Sequence, residues 1–115
     1  MSGGNGKAGR VSAFVIHVEP KSRGSDATRD AEERLAEAVG LAGAIGLSVT
    51  ETKIAPLARP VPATLIGSGK VDEIAQDAKA LLPEVVIVNA QLSPVQQRNL
   101  EKAWGTKVLD RKAHV

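Results

Sequence analysis

The amino-acid sequence predicts an α/β domain: an open, mainly parallel four-stranded sheet with helices on both faces. Three observations carry that expectation. The runs Val11–Glu19 and Val85–Val88 are almost wholly apolar and β-branched, as strands covered on both sides must be. Between and after them lie segments with apolar residues every three or four positions, the spacing of helices that pack on a sheet. The resulting order, β-α-β-α-β-α-β, is that of parallel strands joined by helical crossovers.

Each element has its own local cause. The first strand reads V-S-A-F-V-I-H-V-E and is ended by Pro20. After the polar stretch Lys21 to Ser25, with Asp26 or Thr28 available as a cap, a helix places Ala27, Ala31, Leu35, Ala38, Ala42 and Ile45 on one face. Arg29, Asp30, Glu32, Glu33 and Glu37 take the other face, and Gly46 is its expected stop. Leu47 to Ala55, rich in Val and Thr, reads as a strand. Pro56, Pro60 and Pro62 punctuate a connection to Leu65, Ile66 and the loop Gly67-Ser68-Gly69. Val71, Ile74, Ala75, Ala78, Leu81 and Leu82 then mark an amphipathic helix stopped by Pro83. Beyond the strand at Val85–Val88, Ser93-Pro94-Val95-Gln96 combines a Ser cap, Pro at the first helical position and Gln at the capping-box position. That helix carries Val95, Leu100 and Ala103 on its apolar side and ends at Gly105, and Val108-Leu109 begins a last strand. Trp104 is expected to pack beneath the helix against the sheet.

Composition narrows the function. The chain has 115 residues, 43% hydrophobic and 24% charged, which suits one domain with a core of its own. It has no cysteine, so disulfides, thiolate metal sites and cysteine nucleophiles are excluded. Fifteen basic against thirteen acidic residues give a net charge of +2, which permits a nucleic-acid partner without demanding one. With only Phe14 and Trp104 as aromatics, base stacking of the RRM or OB-fold kind has little to work with. No apolar run reaches the roughly 20 residues of a membrane helix. Residues 1–10 lack an apolar core for a secretory signal and read as a disordered Gly-rich leader.

Gly67-Ser68-Gly69-Lys70 is the sharpest local feature. Glycines before a helix present backbone N–H groups to an anion, and the helix dipole adds to the attraction. These four residues are the candidate anion- or partner-binding turn, with Ser68 as the expected cap and Asp72 and Glu73 expected to offset the dipole. A structural turn with a solvated lysine is the alternative, and on it Gly69→Val should unfold the turn. The Walker A pattern fails, because Thr64 stands where a glycine is needed and Val71 where a magnesium-binding hydroxyl is needed. Gln96, Gln97, Arg98, Asn99 and Lys102 form a second candidate, a polar helix face for a partner or for solvent. His17 lies in an apolar strand and reads as a hydrogen-bonded core or edge residue; with His114 it has no metal-ligand spacing. Asn89 stands where a receiver domain would place its aspartate, which argues against phosphoacceptor chemistry. No catalytic residue and no metal ligand is assigned.

Two stretches in order carry a resemblance. Pro62-Ala63-Thr64-Leu65-Ile66-Gly67-Ser68-Gly69-Lys70-Val71-Asp72-Glu73-Ile74 is one, and Leu92-Ser93-Pro94-Val95-Gln96-Gln97-Arg98-Asn99-Leu100-Glu101 followed by Val108-Leu109-Asp110-Arg111 is the other. Together they resemble the N-terminal domain of the HflX family of ribosome-associated GTPases, over most of residues 11–111. The chain departs from the family pattern at Ala90 and Gln91, where members tend to be acidic, and at Lys112-Ala113-His114.

The resemblance implies an N-terminal α/β domain over residues 11–111, with 112–115 the start of a continuation into a helical hairpin and a G domain. It implies a non-catalytic accessory role: helping to regulate that G domain and to position the protein on the large ribosomal subunit and its rRNA in the cytoplasm. GTP and magnesium are expected only in the G domain, with no cofactor in this chain and neither membrane nor DNA as a partner. Two other readings stand beside it. One is a small phosphate- or nucleotide-binding module using the Gly67–Lys70 turn; the other is a purely structural or oligomer-forming domain.

Overall fold

A computed structural model describes residues 10–20 and 27–110. The leader at 1–9, the cap candidate Asp26 and the continuation at 112–115 lie outside the described residues. Among the described residues four strands, β1 (Val11–Pro20), β2 (Leu47–Leu57), β3 (Val85–Asn89) and β4 (Lys107–Leu109), alternate with three helices, α1 (Ala27–Ala44), α2 (Ser68–Leu81) and α3 (Pro94–Trp104). All strand pairs are parallel and the order is β2-β1-β3-β4.

That order dictates where the helices lie. Right-handed crossovers place a helix on one face when the chain moves one way across the sheet and on the other face when it moves back. The step from β1 to β2 puts α1 on one side; the steps β2 to β3 and β3 to β4 run the opposite way and put α2 and α3 on the other. Two cores result. Phe14, Ile16, Val18, Val86, Val88 and Val108 meet Val71, Ile74, Leu100 and Trp104 on the α2/α3 side. Val15 meets Ala38 and Ala42 on the α1 side, with Leu35, Val39, Val49 and Ile87 around them. The central strand is closed to solvent from Ala13 to Ile16, each 0% exposed.

β2 runs two residues further than Ala55 and includes Pro56, which pairs with Glu19. Proline is tolerated there because β2 is an edge strand, with no further neighbour among the described residues to receive an N–H. The β1–β2 register shifts after Ala13, where Thr50 is the extra residue and its hydroxyl donates to the Ala13 carbonyl at 3.3 Å.

The helix ends follow cap chemistry, with several corrections. Thr28 lies inside α1 rather than at its cap. The chain leaves α1 through Gly46 at φ 92°, as glycine permits; Ile45, in the closing turn, is exposed instead of completing the buried face. α2 begins at Ser68, so Ser68 and Gly69 are helical rather than loop. Its buried line is Val71, Ile74 and Ala78; Leu81 and Leu82 are exposed because the helix closes there. Leu82 takes the left-handed cap position (φ 50°, ψ 53°), a conformation that costs a residue with a β-carbon about 1–2 kcal/mol. α3 opens with a full capping box between Ser93 and Gln96 and closes on Gly105 at φ 67°. It buries only Leu100 and Trp104, since it covers the narrow β3–β4 margin of the sheet; Val95 and Ala103 are exposed.

Trp104 is 6% exposed, and its indole Nε1–H donates to the Val71 carbonyl at 3.0 Å, fastening α3 to α2. Trp104→Ala therefore removes both packing and the inter-helix hydrogen bond. It should lower stability by about 3–5 kcal/mol, out of about 5–15 for a domain of this kind. Urea unfolding should show the midpoint falling at unchanged slope; a loss under about 1 kcal/mol would contradict this packing role.

Candidate functional site

The candidate turn sits at the N-terminus of α2, at the edge of the sheet where β1 and β3 end. Gly67 is the cap residue, with extended backbone (φ −65°, ψ 159°) and no side-chain hydrogen bond to the helix. Its carbonyl accepts the first helical bond from Val71 N at 3.0 Å. The N–H groups of Ser68, Gly69 and Lys70 have no partner among the described residues. Ser68 is thus the first helical residue and not the cap, and no acid stands in the first turn to offset the dipole. Asp72 and Glu73 come later.

The glycines are not required by the backbone. Neither Gly67 nor Gly69 has positive φ, and a β-carbon at either position meets nothing within 4 Å. The expectation that Gly69→Val unfolds the turn is therefore corrected. What the glycines do is leave backbone amides open to close approach.

Lys70 is engaged. Its Nζ lies 3.0 Å from Glu73 Oε1, while the other Glu73 oxygen binds Lys53 of β2, which also pairs with Asp77 at 2.9 Å. Hydrogen bonds from Lys53 first, then Lys70, hold the Glu73 carboxyl below its usual 4.5. Those to Glu73 and then Asp77 raise Lys53 above its usual 10.5. The sequence separates Lys53 from its partners by 20 residues or more; the acids at Glu73 and Asp77, one helical turn apart, were the only visible sign.

The second candidate face divides. Gln96 Nε2 donates to the Val61 carbonyl at 3.2 Å and Asn99 Nδ2 to that of Ala63 at 2.9 Å. These amides clamp the connection 61–65, whose ends pair through Val61 and Leu65 (φ 70°), directly before the α2 turn. Gln97 Nε2 donates to the Val108 carbonyl at 2.7 Å, and Glu101 accepts from Val108 N at 3.0 Å, fixing β4. Arg98 and Lys102 alone of the five predicted residues are exposed and without a partner among the described residues, on one stripe with Val95. The structure thus joins the two sequence blocks, through Gln96 and Asn99.

At the same edge, His17 is 2% exposed and bonded on both ring nitrogens: Nε2 to Glu19 Oε1 at 2.6 Å and Nδ1 to Asn89 Nδ2 at 2.9 Å. The Asn89 amide N–H donates to Nδ1, which leaves Nε2 as the ring's donor to Glu19. The i, i+2 spacing of His17 and Glu19, on one side of a strand, was legible; the partnership with Asn89 needed the strand order. Among the described residues no cluster of His, Asp or Glu could hold a metal ion, and no helix is long and apolar enough to cross a membrane.

A family model described as GTP-binding GTPase N-terminal matches residues 32–115. The chain belongs to that family. It is 45% identical over 95 residues to GTPase HflX of Magnetococcus marinus, covering 82% of this chain and 21% of that protein. To GTPase HflX of Escherichia coli it is 35% identical over 79 residues, 69% of this chain and 18% of the relative. A putative GTP-binding protein 6 of Mus musculus is 31% identical over 101 residues, covering 84% and 20% respectively. A solved structure of an SsGBP variant superposes with a TM-score of 0.60 at 22% identity over 88% of this chain and 30% of that one, which shows a shared fold. The chain spans about a fifth of the length of the HflX relatives it matches. For an HflX N-terminal domain the matched segment takes in β2, both candidate surfaces and most of α1.

The charge network should be visible in stability against pH. The lowered Glu73 carboxyl contributes stability that is present above 4.5 and is lost as pH falls through its folded value. The raised Lys53 contributes stability present below 10.5 and lost as pH rises through its own. The melting temperatures of the native chain and Glu73→Gln should therefore differ most near neutrality and converge in acid. A constant gap down to about pH 2 would show that the network does not stabilise the fold.

Proposed function

We propose that this chain is a non-catalytic accessory domain of an HflX-like GTP-binding protein, helping to regulate the G domain and to position it on the large ribosomal subunit in the cytoplasm. The observation that carries the reading is the family match over residues 32–115, with relatives named GTPase HflX of which the matched part is about a fifth. GTP and magnesium are assigned to the G domain. The α2 turn does not fit them: Val71 is buried where a magnesium-binding hydroxyl is needed, and Lys70 is held by Glu73. On this reading the open amides of Ser68, Gly69 and Lys70 meet phosphate oxygens of rRNA, and the exposed Arg98 of α3 adds positive charge.

Co-sedimentation with isolated large subunits across a salt series tests the proposal. The chain should pellet with the subunits, and Lys70→Ala should lower the salt slope by about one unit or less. Free stability should move by no more than about 0.5 kcal/mol, as befits a surface pair. Gly69→Ala should fold at least as well as the native chain and still bind less, because a helical β-carbon tilts toward the N-terminus and crowds the approach to the amides. No pelleting above background at low salt would overturn the proposal. GTP titrated into the chain in a calorimeter should give no low-micromolar binding; a stoichiometric isotherm would contradict the assignment of nucleotide to the G domain.

The open amides also keep a second reading alive, a free-standing phosphate or nucleotide module. A ligand at 100 times its dissociation constant would add about 2.7 kcal/mol of stability, so a thermal-shift panel of nucleotides and inorganic phosphate separates the two.

A further inference from the structure

The other end of α2 carries a surface that the proposed function does not use. Between the C-terminal turns of α2 and α3 lies a groove of about 410 Å³. Ala78, Leu82, Pro83 and Trp104 line it with Lys79 and Lys102, Gln76 and Thr106 are its neutral polar members, and no carboxylate among the described residues borders it. Its α2 residues begin at Ala75, about 10 Å along the helix from Ser68 at 1.5 Å per residue.

Two independent features mark it. Leu82 is 77% exposed while held at φ 50°, the cap conformation that glycine ordinarily supplies. A large apolar side chain thus stands in water on strained backbone at the lip of an apolar groove, the reverse of what stability alone selects. The second feature is charge. Lys79 and Lys102 both border the groove and have no ion-pair partner among the described residues. Each also complements the dipole of its own helix end, but a lysine elsewhere on either last turn would do that equally well.

We propose that this groove docks an acidic amphipathic helix of a separate protein. One apolar side chain of that helix seats between Leu82 and Trp104, and carboxylates one turn to either side reach Lys79 and Lys102. An RNA strand is the poorer fit. Two cations and an apolar lining give little phosphate neutralisation, and the Trp104 ring is buried with its N–H committed to Val71, so no base can stack on it.

Trp104 is the single tryptophan of the chain and reports directly on the groove. The probe is a synthetic helical peptide without aromatic residues, bearing a leucine with glutamates four positions to either side. Its counterpart carries glutamine in their place, and an oligo(A) strand serves as the nucleic-acid arm. The glutamate peptide should shift Trp104 emission saturably, and the Lys79→Gln, Lys102→Gln double variant should weaken it at least tenfold. Leu82→Gly should weaken it similarly while melting no lower than the native chain, since glycine takes the left-handed cap without strain. No saturable shift at millimolar peptide would overturn the proposal. So would equal binding of the glutamine peptide, or tighter binding of oligo(A) through the same two lysines.

Discussion

Everything in this domain hangs on a strand that must be covered twice. β1 pairs with β2 on one side and β3 on the other, and from Ala13 to Ile16 no side chain reaches water. Phe14, Ile16 and Val18 project one way and Val15 the other, so each face needs its own helix layer. α1 alone supplies one layer, through small residues such as Ala38 and Ala42 that bring the helix close to Val15. α2 and α3 share the other, and the Trp104 indole that spans them is what makes two short helices act as one lid.

Reversal of chain direction across the sheet occurs between β1 and β3. In open α/β sheets the carboxyl ends of the strands at such a point form the usual crevice for ligands. Here the place is filled by His17, Glu19 and Asn89, bonded to one another. The sheet edge therefore offers its open polar groups further along, at the uncapped start of α2, where the connection 61–65 is clamped by Gln96 and Asn99. The opposite edge is built differently: there the helices end, Leu82 and Gly105 turn left-handed, and apolar surface is left between two lysines. One domain thus presents two chemically distinct ends, backbone amides at one and an apolar groove at the other.

Much of this was legible from residue pattern. Apolar runs of strand length gave β1 and β3, and the Ser93-Pro94-Gln96 signature placed the start of α3 where the capping box forms. Gly46 and Gly105 marked helix ends because only they take positive φ there without strain. What the pattern missed lies in backbone conformation and backbone partners. Leu82 replaces glycine at a cap, so the apolar periodicity ran on past the true helix end. Ser68 resembles a cap but stands one residue inside, because Gly67 already has the extended cap conformation. Gln96, Gln97 and Asn99 look like a solvated face, and their inward roles depend on backbone carbonyls of Val61, Val108 and Ala63, which no side-chain pattern records.

The most direct test of this architecture is native-state hydrogen exchange. If β1 is the member on which both layers depend, the amides of Phe14, Val15 and Ile16 can open only when the whole domain does. Their exchange free energy should then equal the global unfolding free energy from urea, and should fall one-for-one with it under low denaturant. Exchange of those three amides through a lower-energy opening, with α2 and α3 still protected, would show that the domain is held by its α2–α3 layer and not by the central strand.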